Sequence, residues 1–384
     1  MEFSLNPEQQ QLNDSLRRYL DKTYTFDTRR QQVKSGAPFS DKHWQAFAEF
    51  GLLGIGMPEE YGGLGATENA AEDTMVVMEC FGHSLVVEPY LSTVILCGGL
   101  VRDLGAPSQC AALLPDMVAG GKTLALAAFE RAGRYQLSHV STTARRDGDG
   151  YELNGVKSVA LNADSADTLI VSARTRGGVG EEDGISLFLV GHDTAGLARR
   201  AYPTFDGSRA AQIELKEVRV GGAAMLGPEH NAYAALEHAI DRGIAAMCAE
   251  AVGAMDALVA QTLEYLKTRK QFGVAIGTFQ ALQHRMVDMF IAAEQARSIT
   301  MLATLKVNST DVAERRRAVA AAKSLVGQST RLVGQQAVQL HGGMGVTDEL
   351  PISHYFKRLT AIDLTFGDAY YHRGRLGEML ALAE

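Results

Sequence analysis

Three long stretches between residues 231 and 340 constrain this chain most. Residues 231–269, 278–308 and 312–340 are rich in alanine and carry few helix breakers, so each is expected to form a long helix. Their apolar residues spread widely around the helical wheel, as in helices that pack against one another in a bundle. The preceding stretch, from about residue 124 to about residue 220, has a different rhythm: periodicity falls toward two and turn residues recur. Asp147-Gly148-Asp149-Gly150 is a hairpin signal between residues 140–144 and 151–153. Residues 168–173 and 185–190 look like buried strands, and 212–218 alternate as a half-exposed strand does. Short strands without intervening helices suggest a small barrel or sandwich.

The N-terminal part reads as helical again. Asn6 can cap a helix, Pro7 suits its first turn and Gln9 stands at the capping-box position. Leu12, Leu16, Tyr19 and Leu20 follow at helical spacing, as do Trp44, Phe47, Phe50 and Leu53. Residues 51–65 form a glycine-rich connector, and helical segments resume from about 67 to 118. The expected fold class is mainly α with a central β-domain. Its parts would be an N-terminal helical domain (1–120), a small β-barrel or sandwich (121–228) and a C-terminal four-helix bundle (229–384).

A chain of 384 residues exceeds one ordinary core, which agrees with several domains. Its formal charge of −8 argues against a general nucleic-acid binder. No apolar run is expected to span a bilayer, and Met1-Glu2-Phe3-Ser4 is not a charged-then-apolar leader. Cys80, Cys97, Cys110 and Cys248 are scattered, with neither a disulfide frame nor a metal site indicated. These features lead us to expect a cytoplasmic protein.

No GxGxxG follows a strand and opens a helix. Gly342-Gly343-Met344-Gly345 has the glycines but follows a long helical stretch, so a Rossmann site is not expected. A dinucleotide would need other means: a forked cation for its pyrophosphate, an aromatic ring for its base, or close backbone approach. Arg269, Phe272 and Gln271 could supply the first two and an amide. Read alone, Arg269 could equally be a solvated charge at a helix C-terminus, and Gly342-Gly343 a capping turn.

Taken together, Arg269-Lys270-Gln271-Phe272-Gly273, then Phe279-Gln280-Ala281-Leu282-Gln283-His284-Arg285, then Val338-Gln339-Leu340-His341-Gly342-Gly343 resemble the acyl-CoA dehydrogenase family. So does Met57-Pro58-Glu59-Glu60-Tyr61-Gly62-Gly63, which is similar to a loop near that family's active site. The resemblance implies FAD as cofactor and α,β-oxidation of an acyl-CoA thioester, with electrons passed to an electron-transfer flavoprotein. It implies that Arg269 and Phe272 reach the FAD of a neighbouring subunit. Gln271, Gln280, Leu282, Gln339, Gly342 and Gly343 would complete the cofactor contacts.

The chain also departs from the family pattern. Thr-Glu-Pro-Gly is replaced by Phe129-Glu130-Arg131-Ala132-Gly133. Val159 and Leu161 stand where a tryptophan and a threonine would flank the flavin ring. Thr365-Phe366-Gly367-Asp368 replaces Tyr-Glu-Gly-Thr, so Phe366 occupies the usual position of the catalytic base. The alternative base position of some branches aligns with Gly243 or Ile244, neither an acid. Asp368, Asp363, Asp241 and Glu250 are the nearby acids, Asp368 the one weak candidate, and no base is assigned. Residues 248–253 and 362–368 resemble the small-subunit, pimeloyl-CoA-dehydrogenase-like branch. Either a homo-tetramer or a hetero-oligomer with a second acyl-CoA dehydrogenase-like subunit is therefore expected. The alternatives are a flavin-binding subunit with little activity alone, an oxidase, or a CoA-thioester eliminase of the same fold.

Overall fold

The computed structural model describes residues 5–65 and 69–381. Residues 67 and 68, where the second helical stretch was expected to begin, lie outside them. The helices in chain order are α1 (Pro7–Thr23), α2 (Phe26–Ser35), α3 (Asp41–Glu49), α4 (Ala70–Ser84), α5 (Gly99–Leu104) and α6 (Pro107–Val118). A π-helical stretch, Leu91–Gly98, runs directly into α5. After the strands come α7 (Tyr233–Thr268), α8 (Gln280–Lys306), α9 (Val312–His341), α10 (Pro351–Leu364) and α11 (Ala369–Ala381).

The central strands are β1 (Leu124–Ala127), β2 (Thr143–Asp147), β3 (Gly150–Leu161), β4 (Thr168–Arg174), β5 (Ile185–Gly191), β6 (Leu197–Pro203), β7 (Arg209–Gly221) and β8 (Met225–Leu226). A separate hairpin, β9 (Lys270–Gln271) and β10 (Val274–Ala275), follows α7. The helix, sheet, helix order matches the expected fold class.

Contacts group the chain into two compact units that do not follow chain order. One comprises Met1–Lys34, Ala71–Val86 and Ile244–Glu384; the other comprises Ser35–Ala70 and Val87–Gly243.

In the second unit the strands form one eight-stranded sheet, ordered β6-β7-β3-β2-β4-β5-β8, with β1 pairing in parallel against β4. The β2–β3 turn is two residues long, with Gly148 at φ +61°, where a side chain would be strained. Tyr151, Leu153, Leu169, Val171, Phe188, Ile213 and Val218 meet in the core of this sheet. The Tyr151 and Phe188 rings lie 5.0 Å apart.

In the first unit α1 begins as expected. Gln9 N donates to Asn6 Oδ1 at 2.9 Å, and Asn6 N donates to Gln9 Oε1 at 3.2 Å. Helix α7 is the one described helix long and apolar enough to cross a membrane, and 83% of its most apolar window is buried inside the protein. It is therefore a core helix. It touches α4 backbone to backbone. A Cβ on Gly82 would fall on the Glu250 carbonyl, and one on Gly253 would fall on the Glu79 carbonyl. Arg297 of α8 pairs with Glu79 of α4 at 2.9 Å and also with Asp256 of α7, tying three helices.

Gly82→Ala or Gly253→Ala forces α4 and α7 apart and should cost at least the upper part of the roughly 1–3 kcal/mol typical of overpacking. Gly374→Ala, on exposed α11 with open space at its Cβ, should instead gain about 0.5–1 kcal/mol from helix propensity. Denaturant unfolding of the three variants checks both signs.

Candidate active site

The end of α7 leads straight into the β9–β10 hairpin. Arg269 N still donates to Tyr265 O at 2.8 Å, and Ile276 N donates to Arg269 O at 2.9 Å, closing the loop. The turn residues Phe272 and Gly273 have φ +54° and +81°, the two positive values a type I′ turn requires. Phe272 is thereby held out from the surface at 90% exposure, its ring edge-on to Phe279 at 6.1 Å. Arg269 is exposed, and its guanidinium forms no ion pair among the described residues. Gln280 and Leu282 sit on the first turn of α8 beside this hairpin.

The C-terminus of α9 lies at the same end of the bundle. His341 stacks on Tyr265 with ring centroids 4.3 Å apart, and Tyr265 Oη donates to His341 O at 3.5 Å. This brings the turn at Gly342 alongside the turn at Arg269. Gly342 has φ +60°, and a Cβ on Gly342 or Gly343 would meet nothing within 4 Å. Gly345 is different: its Cβ would collide with Val338 O, so it serves chain reversal. Gln339 is exposed on the last turn of α9. One end of this unit thus presents an unpaired fork, a bare ring, side-chain amides and a backbone turn without Cβ cover. That donor set fits the adenosine and pyrophosphate end of a dinucleotide.

The sheet unit holds the residues expected near a flavin ring. Glu130 is buried and accepts five hydrogen bonds. Oε1 takes Thr142 N at 2.9 Å, Thr142 Oγ1 at 2.7 Å and Lys157 Nζ at 2.8 Å; Oε2 takes Ser141 N at 2.8 Å and Ser141 Oγ. Burial alone would raise this carboxyl, but the Lys157 charge and the hydroxyl and amide donors outweigh it and hold it at about 2. Lys157 is fully buried, and its Nζ also donates to Ser172 Oγ at 3.0 Å and Ala128 O at 3.3 Å. Burial pushes its amine down, against the pull of Glu130.

Immediately after Lys157 the strand bulges, with a register shift between Lys157 and Ala160. Val159 sits on the bulge at φ +53°, a genuine outlier for a β-branched residue, and is 55% exposed. Leu161 is half-buried. Positions 159 and 161 therefore offer main chain and two aliphatic side chains in place of an aromatic ring and a hydroxyl.

The corner between α10 and α11 carries Phe366 at φ +59°, half-buried. Asp368 caps α11, accepting from Tyr371 N at 2.8 Å. Asp363 is buried; it accepts from Ala369 N at 3.1 Å and pairs with Arg331 at 3.2 Å. Glu250 is held bidentately by Arg358 at 2.6 and 2.7 Å. Asp241 is buried on α7, in the part of that helix belonging to the sheet unit. The corner thus holds no free carboxylate among the described residues.

Two partners were missed in the sequence. The pairing of Glu130 with Lys157 joins positions 27 residues apart, which no local pattern connects. Lys323 of α9 is fully buried against α10; its signal was a lone cation in the run Ala320-Ala321-Ala322-Lys323-Ser324-Leu325-Val326.

Fold and corner together describe a helix-sheet-helix chain whose exposed donors could hold a dinucleotide without a Rossmann crossover. Comparison with known proteins gives the family. Residues 6–121, 125–218 and 233–381 match the N-terminal, middle and C-terminal domains of acyl-CoA dehydrogenases. The chain belongs to the acyl-CoA dehydrogenase family of flavoprotein oxidoreductases. It is 30% identical to a 3-(aryl)acrylate reductase of Clostridium sporogenes, over 88% of this chain and 89% of that protein. Among solved structures it is similar to a Tcur3481–Tcur3483 steroid ACAD variant, at 30% identity and TM-score 0.87, covering 98% of each chain. It is also similar to the ChsE4–ChsE5 complex of Mycobacterium tuberculosis, at 26% identity and TM-score 0.89, covering 99% of each.

Glu130→Gln should leave Lys157 buried and unpaired, costing about 3–5 kcal/mol; replacing both by Leu and Met should cost clearly less. The sign with pH follows from the lowered carboxyl. Its contribution to stability is complete above about pH 4.5 and fades as the pH falls toward about 2. Melting curves of wild type and Glu130→Gln across that window should converge at the acid end.

Proposed function

We propose that this chain takes part in FAD-dependent α,β-dehydrogenation of an acyl-CoA thioester as one component of a hetero-oligomer whose other chain carries the catalytic base. The observation carrying this reading is Phe366. It occupies the family's base position, and Asp368, Asp363 and Glu250 are each committed to a cap, a buried contact or an ion pair. The reaction requires a proton to leave the substrate α-carbon, and no described carboxylate at this corner is free to accept it. Similarity over 99% of this chain to a structure of a ChsE4–ChsE5 complex supports this reading.

The chain's own contribution is binding. Arg269 would pair with pyrophosphate oxygens, Phe272 would cover the adenine, and the Gly342-Gly343 turn would let the backbone approach. Gln271, Gln280, Leu282 and Gln339 would complete that grip. Bound flavin supplies the hydride acceptor. The flavin reached by Arg269 and Phe272 would be a neighbouring subunit's, while main chain near Val159 and Leu161 would meet the ring of this chain's own. An electron-transfer flavoprotein is the proposed acceptor and the cytoplasm the proposed location.

Two experiments test this. The chain purified alone should oxidise acyl-CoA thioesters at least about 100-fold more slowly than its co-purified complex, the least a missing general base costs. Phe366→Glu should recover part of the rate in the isolated chain. Full activity of the wild-type chain alone would overturn the hetero-oligomer reading. Separately, Arg269→Ala should weaken flavin retention in the complex by roughly tenfold to a hundredfold, one charge-assisted contact's share, read from visible absorbance after dialysis.

A further inference from the structure

The corner that carries position 366 is fixed from three sides. Before it, Lys323 Nζ donates to Ile362 O and Asp363 O, both at 2.7 Å. These are carbonyls of the last turn of α10, which have no intrahelical donor. Lys323 is fully buried and pairs with no carboxylate within ion-pair distance among the described residues. The Asp363 carboxylate faces Ala369 N and Arg331 instead. At the residue itself, buried His372 of α11 donates from Nε2 to Phe366 O at 2.9 Å. A carbonyl can only accept, so His372 is the Nε2–H tautomer. Burial pushes its pKa down to about 4, keeping it neutral. Beyond it, Asp368 caps α11.

The glycines tighten the same point. A Cβ on Gly327, one turn after Lys323, would strike Asp363 Oδ1, and one on Gly367 would strike Tyr371 and His372. Desolvating an ammonium group costs several kcal/mol unless its hydrogen bonds are good. Here the bonds are short and go to the negative end of a helix. They fix the last turn of α10 immediately before Phe366, whose φ is +59°.

We infer that Lys323 and His372 are positioning residues that set the direction of side chain 366. This rests on reading the corner as the site's base position. A side chain there projects along a fixed line only while both donors hold the carbonyls on either side of the turn.

Hydrogen–deuterium exchange on the full chain tests it. Lys323→Met keeps length and packing but removes the donors. Amides of residues 364–369 should then exchange about tenfold faster or more, while α4 and the sheet unit stay unchanged. His372→Leu should do the same, and His372→Gln, which keeps a donor, should restore protection. Unchanged exchange at 364–369, or a uniform rise across the bundle, would overturn the inference. Should Lys323→Met fail to fold, the two His372 variants decide alone. In the Phe366→Glu background, Lys323→Met should lower kcat and leave KM unchanged. If Phe366→Glu is itself inactive, the functional reading fails while exchange still decides the positioning role.

Discussion

Main-chain carbonyls at the ends of elements in this protein are met by buried cationic side chains, and the turns that matter depend on this. Lys323 takes the last carbonyls of α10 just before Phe366. Arg29 of α2, also buried, donates from Nε to Leu85 O at 2.9 Å, just beyond α4, where Leu85 has φ +55°. Each case joins a helix C-terminus, a non-glycine residue at positive φ and a cation from another helix. Elsewhere glycine would supply that φ without strain. Here the favourable interaction of a cation with the helix end offsets the strain, and a side chain is presented from a position glycine would leave bare.

The sheet unit uses the same device on loops. Arg174 sits at the end of β4. It donates to Val140 O and Ser138 O, both at 3.0 Å, and across to Val179 O, Glu181 O and Asp183 O at 2.8–3.1 Å. One guanidinium thus fastens the loop after Glu130 to the loop joining β4 and β5. Glu130 closes the first of these loops by gathering Ser141 and Thr142, and Lys157 neutralises it from below. A loop stapled in this way keeps its shape without a hydrophobic core of its own, so Phe129 O can hold the Val159 bulge through Ser158 N at 2.8 Å.

What was legible in the sequence was local. Alanine-rich runs became α7, α8 and α9 because period and propensity agree within a segment. Asn6 and Gln9 capped α1, and Gly148 marked its hairpin, because three or four residues suffice to specify each. The Arg269 and Gly342 turns were found as motifs, and the structure places them at one end through the Tyr265–His341 stack. The Lys157–Glu130 pair, the role of Lys323 and the division into two units were not legible. Each depends on partners tens of residues apart, and a buried lysine has the same letter as a solvated one. The π-helical stretch Leu91–Gly98 was hidden because its apolar residues fit an α-helix equally well.

The departures from the family pattern are unevenly distributed, and their distribution has a physical sense. The Phe272 backbone is fixed by a two-residue turn that holds the ring out before any ligand arrives, so covering it would gain apolar burial. At position 366 the same rigidity is present, but the side chain is apolar and exchanges no proton. Val159 likewise holds a strained backbone that would present a ring contact, yet with an aliphatic group. All three places thus hold a non-glycine residue at positive φ, and only Phe272 carries a side chain of the family pattern. Under the function proposed above, such a chain would hold a neighbour's cofactor while depending on another chain to take the substrate's proton.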